Sequence, residues 1–377
     1  MTRTTRINLS HNENHVGPTD AAVAALHGLT GRDLACYSPS FAASTTSPLT
    51  LDLARRSGIP PHHVALGYGA EPLLQAALRD HVAPGQVIAL PSASWPHYRT
   101  LAAAARASVV TYPVVEGRDR DTGQPAWVVD VDALLALRRT TDVRVLLVAS
   151  PANPTGNPFP ADRLDEVLAA YRDALVVLDE AYYGLGDDEP DFTATPQLTR
   201  EHPNLLVVRS FSKLYGLASP RIGWCAGGDQ LTPWIAAQES YLGYSRPNEV
   251  MALAALDDPG HYETVRQHMI AARATVGVQL AAAGYTVYRS AANFLAIRPP
   301  ATRREAARAA LDAARIKVKW LDDLGILRVT LGTDDMNDAL VRALTGPRRR
   351  RGGRGSAAAV AAYGADCLTP AVAGSGA

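Results

Sequence analysis

Three consecutive apolar segments of the chain end in residues that can take part in chemistry. Together these ends supply an amide, a carboxylate, a phenol, two hydroxyls and an amine, from Asn153, Asp179, Tyr182, Ser210, Ser212 and Lys213. In an open α/β sheet, ligands bind beyond the carboxyl ends of the strands. We therefore expect these side chains to meet at one site for a small molecule.

Each of these residues, taken singly, also has an ordinary structural interpretation. Asp179 could cap a helix that begins in the sequence EAYY, Lys213 could be a solvated surface lysine, and Asn153 would suit any turn. Gly67 and Gly69 in LGYG could form only a strand-to-helix connection. The shared position at strand ends, repeated in order along the chain, favours a functional site.

A repeating pattern between about residues 64 and 227 predicts the elements that position this set. Apolar, β-branched segments alternate with Gly/Pro/Ser-rich turns and with Ala/Leu-rich stretches of helical periodicity. The predicted strands are 87–90, 108–114, 143–149, 174–180, 205–210 and 221–227. Because continuous apolar runs are typical of strands covered on both faces, we predict an α/β fold with a mostly parallel sheet wrapped by helices.

The sequence changes in character after about Pro247. Long helical segments alternate with the short strands NFLAIR, IKVKW and ILRVTLG, which predicts a second, smaller α+β domain. The last residues, 347–377, are rich in Gly, Ala and Arg without periodicity, and we predict that they are disordered.

The charge balance and the cysteine content of the sequence indicate which kinds of binding partner to expect. Lys plus Arg and Asp plus Glu number 37 each, so no net field favours nucleic acid or an anionic membrane. The three cysteines have no disulfide or metal-ligand spacing, and no run of about 18 apolar residues or leader-like start occurs. These features predict a cytoplasmic protein with a small-molecule partner.

Six segments in order resemble the class I/II, fold-type I pyridoxal-phosphate-dependent aminotransferases, and the histidinol-phosphate aminotransferase branch most of all. They are SFSKLYGLASPRIGW (210–224), LDEAYYG (178–184), SPANPTG (150–156), INLSHNENHVGP (7–18), ANFLAIR (292–298) and LRVTLG (327–332). The resemblance covers about residues 7–344. It implies a seven-stranded, mostly parallel sheet, a large cofactor-binding domain (46–245), a small domain (246–346) and an N-terminal segment (1–45) that contributes to the small domain and to dimer contacts.

The resemblance also implies roles around pyridoxal 5'-phosphate. Lys213 would form a Schiff base with the cofactor aldehyde and move protons at the substrate α-carbon. Asp179 would keep the ring nitrogen protonated, because an opposite charge favours the charged form. Asn153 and Tyr182 would contact the phenolic oxygen, and Trp95 would stack on the ring unless it is a core aromatic.

The phosphate and the substrate are assigned by the same resemblance. The phosphate would be held by a helix N-terminus, two hydroxyls and a guanidinium, with a phenol from the neighbouring subunit of a homodimer: Gly69, Ala70, Glu71, Ser210, Ser212, Arg221 and Tyr37. The substrate would be bound by Arg328 at its α-carboxylate, where the alternative is a rim arginine, and by Asn293, Lys319 and Asn14.

Departures from the branch fall in the substrate pocket. Lys319 stands where an arginine helps to read the substrate phosphate, His15 and Val16 replace Pro and an aromatic residue, and Pro72 stands where an acidic residue is common. We expect the donor to be an amino acid or amino-acid-derived amine, either histidinol-phosphate-like or from specialised metabolism. By resemblance, the acceptor would be a 2-oxo acid.

Two other kinds of function remain open at this point, and a third is disfavoured. The same scaffold supports lyases, decarboxylases, cyclases and oxidases, which differ in the bond to the α-carbon that is broken. A non-catalytic ligand-binding module would normally lack the lysine. A nucleotide-binding dehydrogenase is disfavoured because no G-x-G-x-x-G follows the first predicted strand.

Overall fold

The computed structural model describes residues 6–187, 194–238 and 243–346. The predicted disordered tail, 347–377, lies outside the described residues. Within the described ranges, no helix is both long and apolar enough to cross a membrane.

The strands and helices alternate through most of the chain. The strands are β1 (Ile7–Asn8), β2 (Val64–Gly67), β3 (Val87–Pro91), β4 (Ser108–Tyr112), β5 (Val114–Arg118), β6 (Pro125–Val129), β7 (Val143–Ala149), β8 (Leu175–Asp179), β9 (Leu205–Ser210), β10 (Gly223–Gly227), β11 (Thr286–Val287), β12 (Phe294–Arg298), β13 (Ile316–Lys317), β14 (Lys319–Leu321) and β15 (Ile326–Thr330). The α-helices are α1 (Asp20–His27), α2 (Gly31–Ala35), α3 (Pro39–Ala43), α4 (Pro48–Ser57), α5 (Ala70–His81), α6 (His97–Ala104), α7 (Val131–Thr140), α8 (Leu164–Ala170), α9 (Ala194–Glu201), α10 (Thr232–Gln238), α11 (Arg246–Leu256), α12 (Pro259–Ala282), α13 (Arg304–Ala313) and α14 (Asp334–Thr345).

The largest sheet has seven strands in the order β2-β10-β9-β8-β7-β3-β4. Six of them run in the same direction, while β10 is antiparallel to both of its neighbours, β2 and β9. Successive residues of a strand point to opposite faces. Accordingly, Val145 and Leu147 of β7 join the buried cluster that contains the apolar residues of α5, whereas Leu146 and Val148 join the cluster that contains those of α8. The predicted fold class is confirmed.

Three predicted strands of the large sheet are shorter in the structure, and one of them, predicted as 174–180, loses only one residue at each end. The segment predicted as 108–114 divides at Pro113, because β4 ends at Tyr112 and Val114 begins the β5–β6 hairpin. Proline has no N–H to donate to a strand ladder. The segment predicted from 221 begins at Gly223, since Arg221 has a φ of 59°, outside the extended region.

A second, antiparallel sheet of four strands has the order β11-β12-β15-β14. Helix α12 supplies Val265, Met269 and Val276 to a buried cluster that also contains Leu340 of α14. The N-terminal strand β1 pairs in parallel with β13. This pairing brings the segment that follows β1 close to the carboxyl edge of the large sheet.

Candidate active site

A cavity of about 770 Å³ lies at the carboxyl ends of β7, β8 and β9. Because these neighbouring strands are parallel, the residues that follow them meet at one edge of the sheet. Most of the residues predicted from the sequence line this cavity: Ala70, Glu71, Trp95, Asn153, Asp179, Tyr182, Ser210, Ser212, Lys213, Arg221, Lys319 and Arg328.

Lys213 lies just beyond β9, with its amine in the cavity. Its Nζ donates to the backbone carbonyl of Asn12 at 2.9 Å and to that of His11 at 3.3 Å. Burial lowers the pKa of Lys213 to about 8, with further lowering from the nearby Arg328 and Arg221 guanidinium groups. A lowered pKa leaves a larger share of the amine neutral at pH 7, and only the neutral amine is a nucleophile.

Asp179 ends β8 as a buried carboxylate with 6% exposure. It accepts hydrogen bonds from the Tyr98 hydroxyl at 2.6 Å and from the Ala181 N–H at 3.0 Å. Within the described ranges, no Lys, Arg or His nitrogen lies within 4.0 Å of its oxygens. Burial raises the pKa of Asp179, and the two hydrogen bonds oppose the rise. The next residues form a turn rather than a helix, so the helix-cap interpretation is wrong.

Tyr182 and Asn153 both line the cavity, and each accepts a hydrogen bond from a neighbouring side chain. The Tyr182 hydroxyl accepts an N–H from the Asn12 side chain at 2.8 Å. The side-chain amide oxygen of Asn153 accepts a hydrogen bond from Nη1 of Arg328. The Nη2 of Arg328 donates to the backbone carbonyl of Ser10 at 2.6 Å. Burial raises the pKa of Tyr182, while the positive charge of Arg328 and hydrogen bonds from Asn12 and Asn153 oppose that rise.

The start of helix α5 forms a small polar cup with Arg221. Gly69 precedes the helix with a φ of 98°, and no side chain caps the first N–H groups. A Cβ at Gly69 would lie 2.6 Å from Arg221 Nη2, so only glycine allows this approach. Arg221 donates to the Ser212 hydroxyl at 3.3 Å. Uncapped amides, a hydroxyl and a guanidinium are groups that suit an anion.

Trp95 lies at the side of the cavity in an aromatic cluster. Its ring centroid lies 5.0 Å from that of His97 and 5.4 Å from that of Tyr98. His97 in turn hydrogen-bonds Glu71 at 2.9 Å. Trp95 is only partly buried, so part of its surface is available to a ring in the cavity.

Three predicted residues besides Gly69 do not line the cavity. Asn14 uses its side chain locally, donating to the Leu214 carbonyl and accepting from the Val16 N–H, which does not fit its predicted contact with substrate. Asn293 is fully buried behind the cavity. Tyr37 is 63% exposed, so its predicted contact with a neighbouring subunit stays a prediction.

Sequence reasoning missed three residues of the site. Tyr98 lies three positions after Trp95, at the first turn of α6, where it reaches the buried acid. Asn12 stands two positions before Asn14 in the same opening motif, but its φ of 55° and its burial could not be read from sequence. Lys317 stands two positions before Lys319 in IKVKW, a segment predicted as one strand that the structure divides into β13 and β14, and both lysines line the cavity.

Comparison with known proteins assigns the family. The model for aminotransferase class I and II matches residues 4–344, so the chain belongs to the class I and II aminotransferases. It is an enzyme of that family, as the six sequence segments predicted. Neither the non-catalytic interpretation nor a lyase, decarboxylase, cyclase or oxidase reaction is favoured by these matches.

Curated relatives and a solved structure named histidinol-phosphate aminotransferase are similar to this chain. Histidinol-phosphate aminotransferase 1 of Cupriavidus pinatubonensis is 32% identical over 90% of this chain and 87% of the relative. Histidinol-phosphate aminotransferase 1 of Trichormus variabilis is 28% identical over 90% and 91%. The structure of histidinol-phosphate aminotransferase from Sinorhizobium meliloti, in complex with pyridoxal-5'-phosphate, superposes with a TM-score of 0.78 at 26% identity, covering 91% of this chain and 90% of that one. The chain is therefore similar to histidinol-phosphate aminotransferases along most of its length.

Proposed function

We propose that the cavity binds pyridoxal 5'-phosphate and transfers an amino group from an anionic amino compound to a 2-oxo acid. One observation carries the proposal: the Lys213 amine, with its lowered pKa, shares a cavity with Asp179, a buried carboxylate that lacks a cationic partner among the described residues. A buried charge without a partner is costly. A protonated pyridine nitrogen would supply that partner.

The remaining residues also fit the cofactor. The uncapped start of α5, Ser212 and Arg221 match a phosphate, while Tyr182 and Asn153 match a phenolic oxygen. When bound through a Schiff base, the cofactor supplies an electron sink that stabilises negative charge at the substrate α-carbon.

Lys213 and Arg328 would have different roles toward the substrate, one in proton transfer and the other in binding. The neutral Lys213 amine would take the proton from the substrate α-carbon and deliver it to the cofactor carbon that carried the aldehyde, and the second half of the reaction would reverse this transfer. Arg328 would hold the α-carboxylate. In support, the Nε of Arg328 is buried without a hydrogen-bond partner among the described groups, so its guanidinium has a donor to spare.

The donor's distal group would meet two lysines. Lys317 and Lys319 are exposed and line the cavity, Lys317 at the end of β13 and Lys319 at the start of β14. In the described part of the chain, no carboxylate oxygen lies within 4.0 Å of either amine. Two unpaired cations favour a substrate whose far end is a carboxylate or a phosphate.

The active unit would be a homodimer. Tyr37 is exposed and packs edge-on against Phe41, at 5.3 Å between ring centroids. An exposed aromatic residue at that position suits contact with a second copy, whose phosphate cup it would complete.

The test is the visible spectrum of the protein with pyridoxal phosphate, followed by cycles of amino donor and 2-oxo acid. We expect a band that bleaches with an anionic donor and returns only when a 2-oxo acid is added. The variant Lys213→Arg keeps the charge but cannot form the Schiff base, and it serves as the matched control. A band in the parent that never returns with a 2-oxo acid would contradict amino transfer.

A further inference from the structure

Asn12 occupies the junction of four elements of the site. It is buried with 1% exposure and contacts Tyr182, Thr330, Asn293 and Lys213 through hydrogen bonds. We infer that Asn12 is a positioning residue that fixes the direction of the Tyr182 proton. The inference rests on the proposed cofactor, because the proton would be donated to its phenolic oxygen.

The orientation of the Asn12 amide follows from Thr330. The Thr330 hydroxyl accepts the Asn12 backbone N–H at 2.9 Å and donates its own proton to Asn12 Oδ1 at 3.1 Å. If the amide were reversed, the Thr330 oxygen would face two donors and its proton would lose this acceptor. The network therefore directs Asn12 Nδ2 toward Tyr182.

The Asn12 amide in turn sets the state of the Tyr182 hydroxyl. Nδ2 donates to Tyr182 Oη at 2.8 Å, so the phenol acts as acceptor in that bond. A hydroxyl that accepts this N–H keeps its own proton for another acceptor. Because Tyr182 lines the cavity, that proton is available to a ligand there.

The backbone of Asn12 serves the same site. Its carbonyl accepts from Lys213 at 2.9 Å and from the Asn293 side chain at 3.1 Å. When the Lys213 amine moves to a cofactor, Asn293 still satisfies the carbonyl. The segment therefore keeps its position whether or not the lysine is engaged, and the Asn12 side chain stays aimed at Tyr182.

The left-handed backbone conformation of Asn12 determines which substitution can remove its side chain without straining the chain. Asn12 has a φ of 55°, a conformation that Asn and Gly tolerate far better than Ala. Asn12→Gly therefore removes the amide without adding backbone strain. Thr330→Val, which removes the hydroxyl that orients the amide, is the second variant if Asn12→Gly fails to fold.

The experiment is a pH titration of the visible band in the parent holoenzyme, Asn12→Gly, Thr330→Val, Tyr182→Phe and the double variant Asn12→Gly/Tyr182→Phe. A donor to the phenolic oxygen draws charge from it and weakens its hold on the neighbouring Schiff-base proton. Without the Asn12 amide, the Tyr182 proton is no longer directed at that oxygen, so the titration midpoint should rise by about one pH unit in Asn12→Gly and by less in Thr330→Val. The double variant should titrate like Tyr182→Phe, because Asn12 acts through that hydroxyl.

The outcomes separate this inference from the proposed function. A parent protein that forms no visible band would overturn both. If the parent shows a normal band, two results would overturn only the role of Asn12. One is a double variant whose midpoint shift equals the sum of the Asn12→Gly and Tyr182→Phe shifts. The other is an unchanged midpoint in both Asn12→Gly and Thr330→Val. A merely structural role would change stability without any dependence on the Tyr182 hydroxyl.

Discussion

Two walls of the cavity differ in how their polar groups are held. The strand-end wall, formed by Asn153, Asp179 and Tyr182, is bound into the protein by hydrogen bonds from its neighbours. The lysine wall, formed by Lys317 and Lys319, is exposed, and neither lysine pairs with a carboxylate in the described part of the chain.

This difference indicates a division between chemistry and selection. Groups fixed by several hydrogen bonds cannot reorganise during a reaction, which suits the stabilisation of developing charge. Exposed lysines are screened by solvent and adapt to different ligands, which suits recognition of a distal charge. We expect substitutions in the strand-end wall to change turnover, and substitutions in the lysine wall to change the choice of substrate.

The largest effect is expected at Lys213, which lines the same cavity. Lys213→Ala should reduce amino transfer at least about 1,000-fold, because nucleophile and proton carrier are lost together. Single-turnover kinetics with the best donor measure this loss. A variant with parental turnover would contradict the assignment.

Asp179→Ala should be the most damaging change in the strand-end wall. Without the buried carboxylate, the ring nitrogen loses its charge partner, and turnover should fall about 100- to 1,000-fold. The measurement is kcat together with the cofactor dissociation constant. Asp179→Glu, which keeps the charge, should recover part of the loss, and equal activity of the Ala and Glu variants would exclude a charge effect.

Arg328→Lys tests the α-carboxylate contact. The substitution keeps the positive charge but removes the planar pair of donors, so kcat/KM should fall about 10- to 100-fold. The loss should be much smaller for a donor amine that lacks an α-carboxylate. Equal losses for both kinds of donor would show that Arg328 acts elsewhere.

The pH dependence of cofactor capture tests the state of Lys213. Since its pKa lies near 8, the rate should rise about tenfold per pH unit up to pH 8 and then level off. The folded pKa lies below the value of 10.5 expected for the unfolded chain, so the unfolded state binds the extra proton between these values. The cofactor-free protein should therefore gain stability as pH rises from 8 to 10.5. A capture rate that still climbs tenfold per unit above pH 9 would contradict the lowered pKa.

The smallest effect is expected in the lysine wall. Lys317→Ala should lower kcat/KM about 3- to 5-fold for donors with a distal carboxylate or phosphate, because exposed charges contribute about 1 kcal/mol or less. The effect should shrink at high salt. Neutral donors of similar length are the control, and an equal loss for them would remove Lys317 from substrate selection.

The strand-end wall was predictable from sequence because its residues follow buried strands directly. Asp179 ends β8 and Lys213 lies shortly after β9, so apolar runs alone located them. Asn12 and Tyr98 were missed because their positions depend on long-range contacts with Tyr182 and Asp179. No local pattern encodes such contacts.

Asn14 also shows that sequence alone does not reveal which residues reach the cavity. The motif NEN offers two asparagines two positions apart, and sequence reasoning selected the wrong one for the cavity. A left-handed residue at Asn12 redirects the chain, and only the fold reveals it. The lysine wall was half predicted, because resemblance pointed to Lys319 but not to Lys317.

The central claim is that Lys213 carries the cofactor, and the composition of the chain makes a direct test possible. The only lysines in the sequence are Lys213, Lys317 and Lys319, and all three line the cavity. Reduction of the holoenzyme with borohydride, followed by peptide mass spectrometry, locates the attached cofactor. We predict a single modified peptide that contains Lys213. Attachment at Lys317 or Lys319, or no attachment at all, would contradict it.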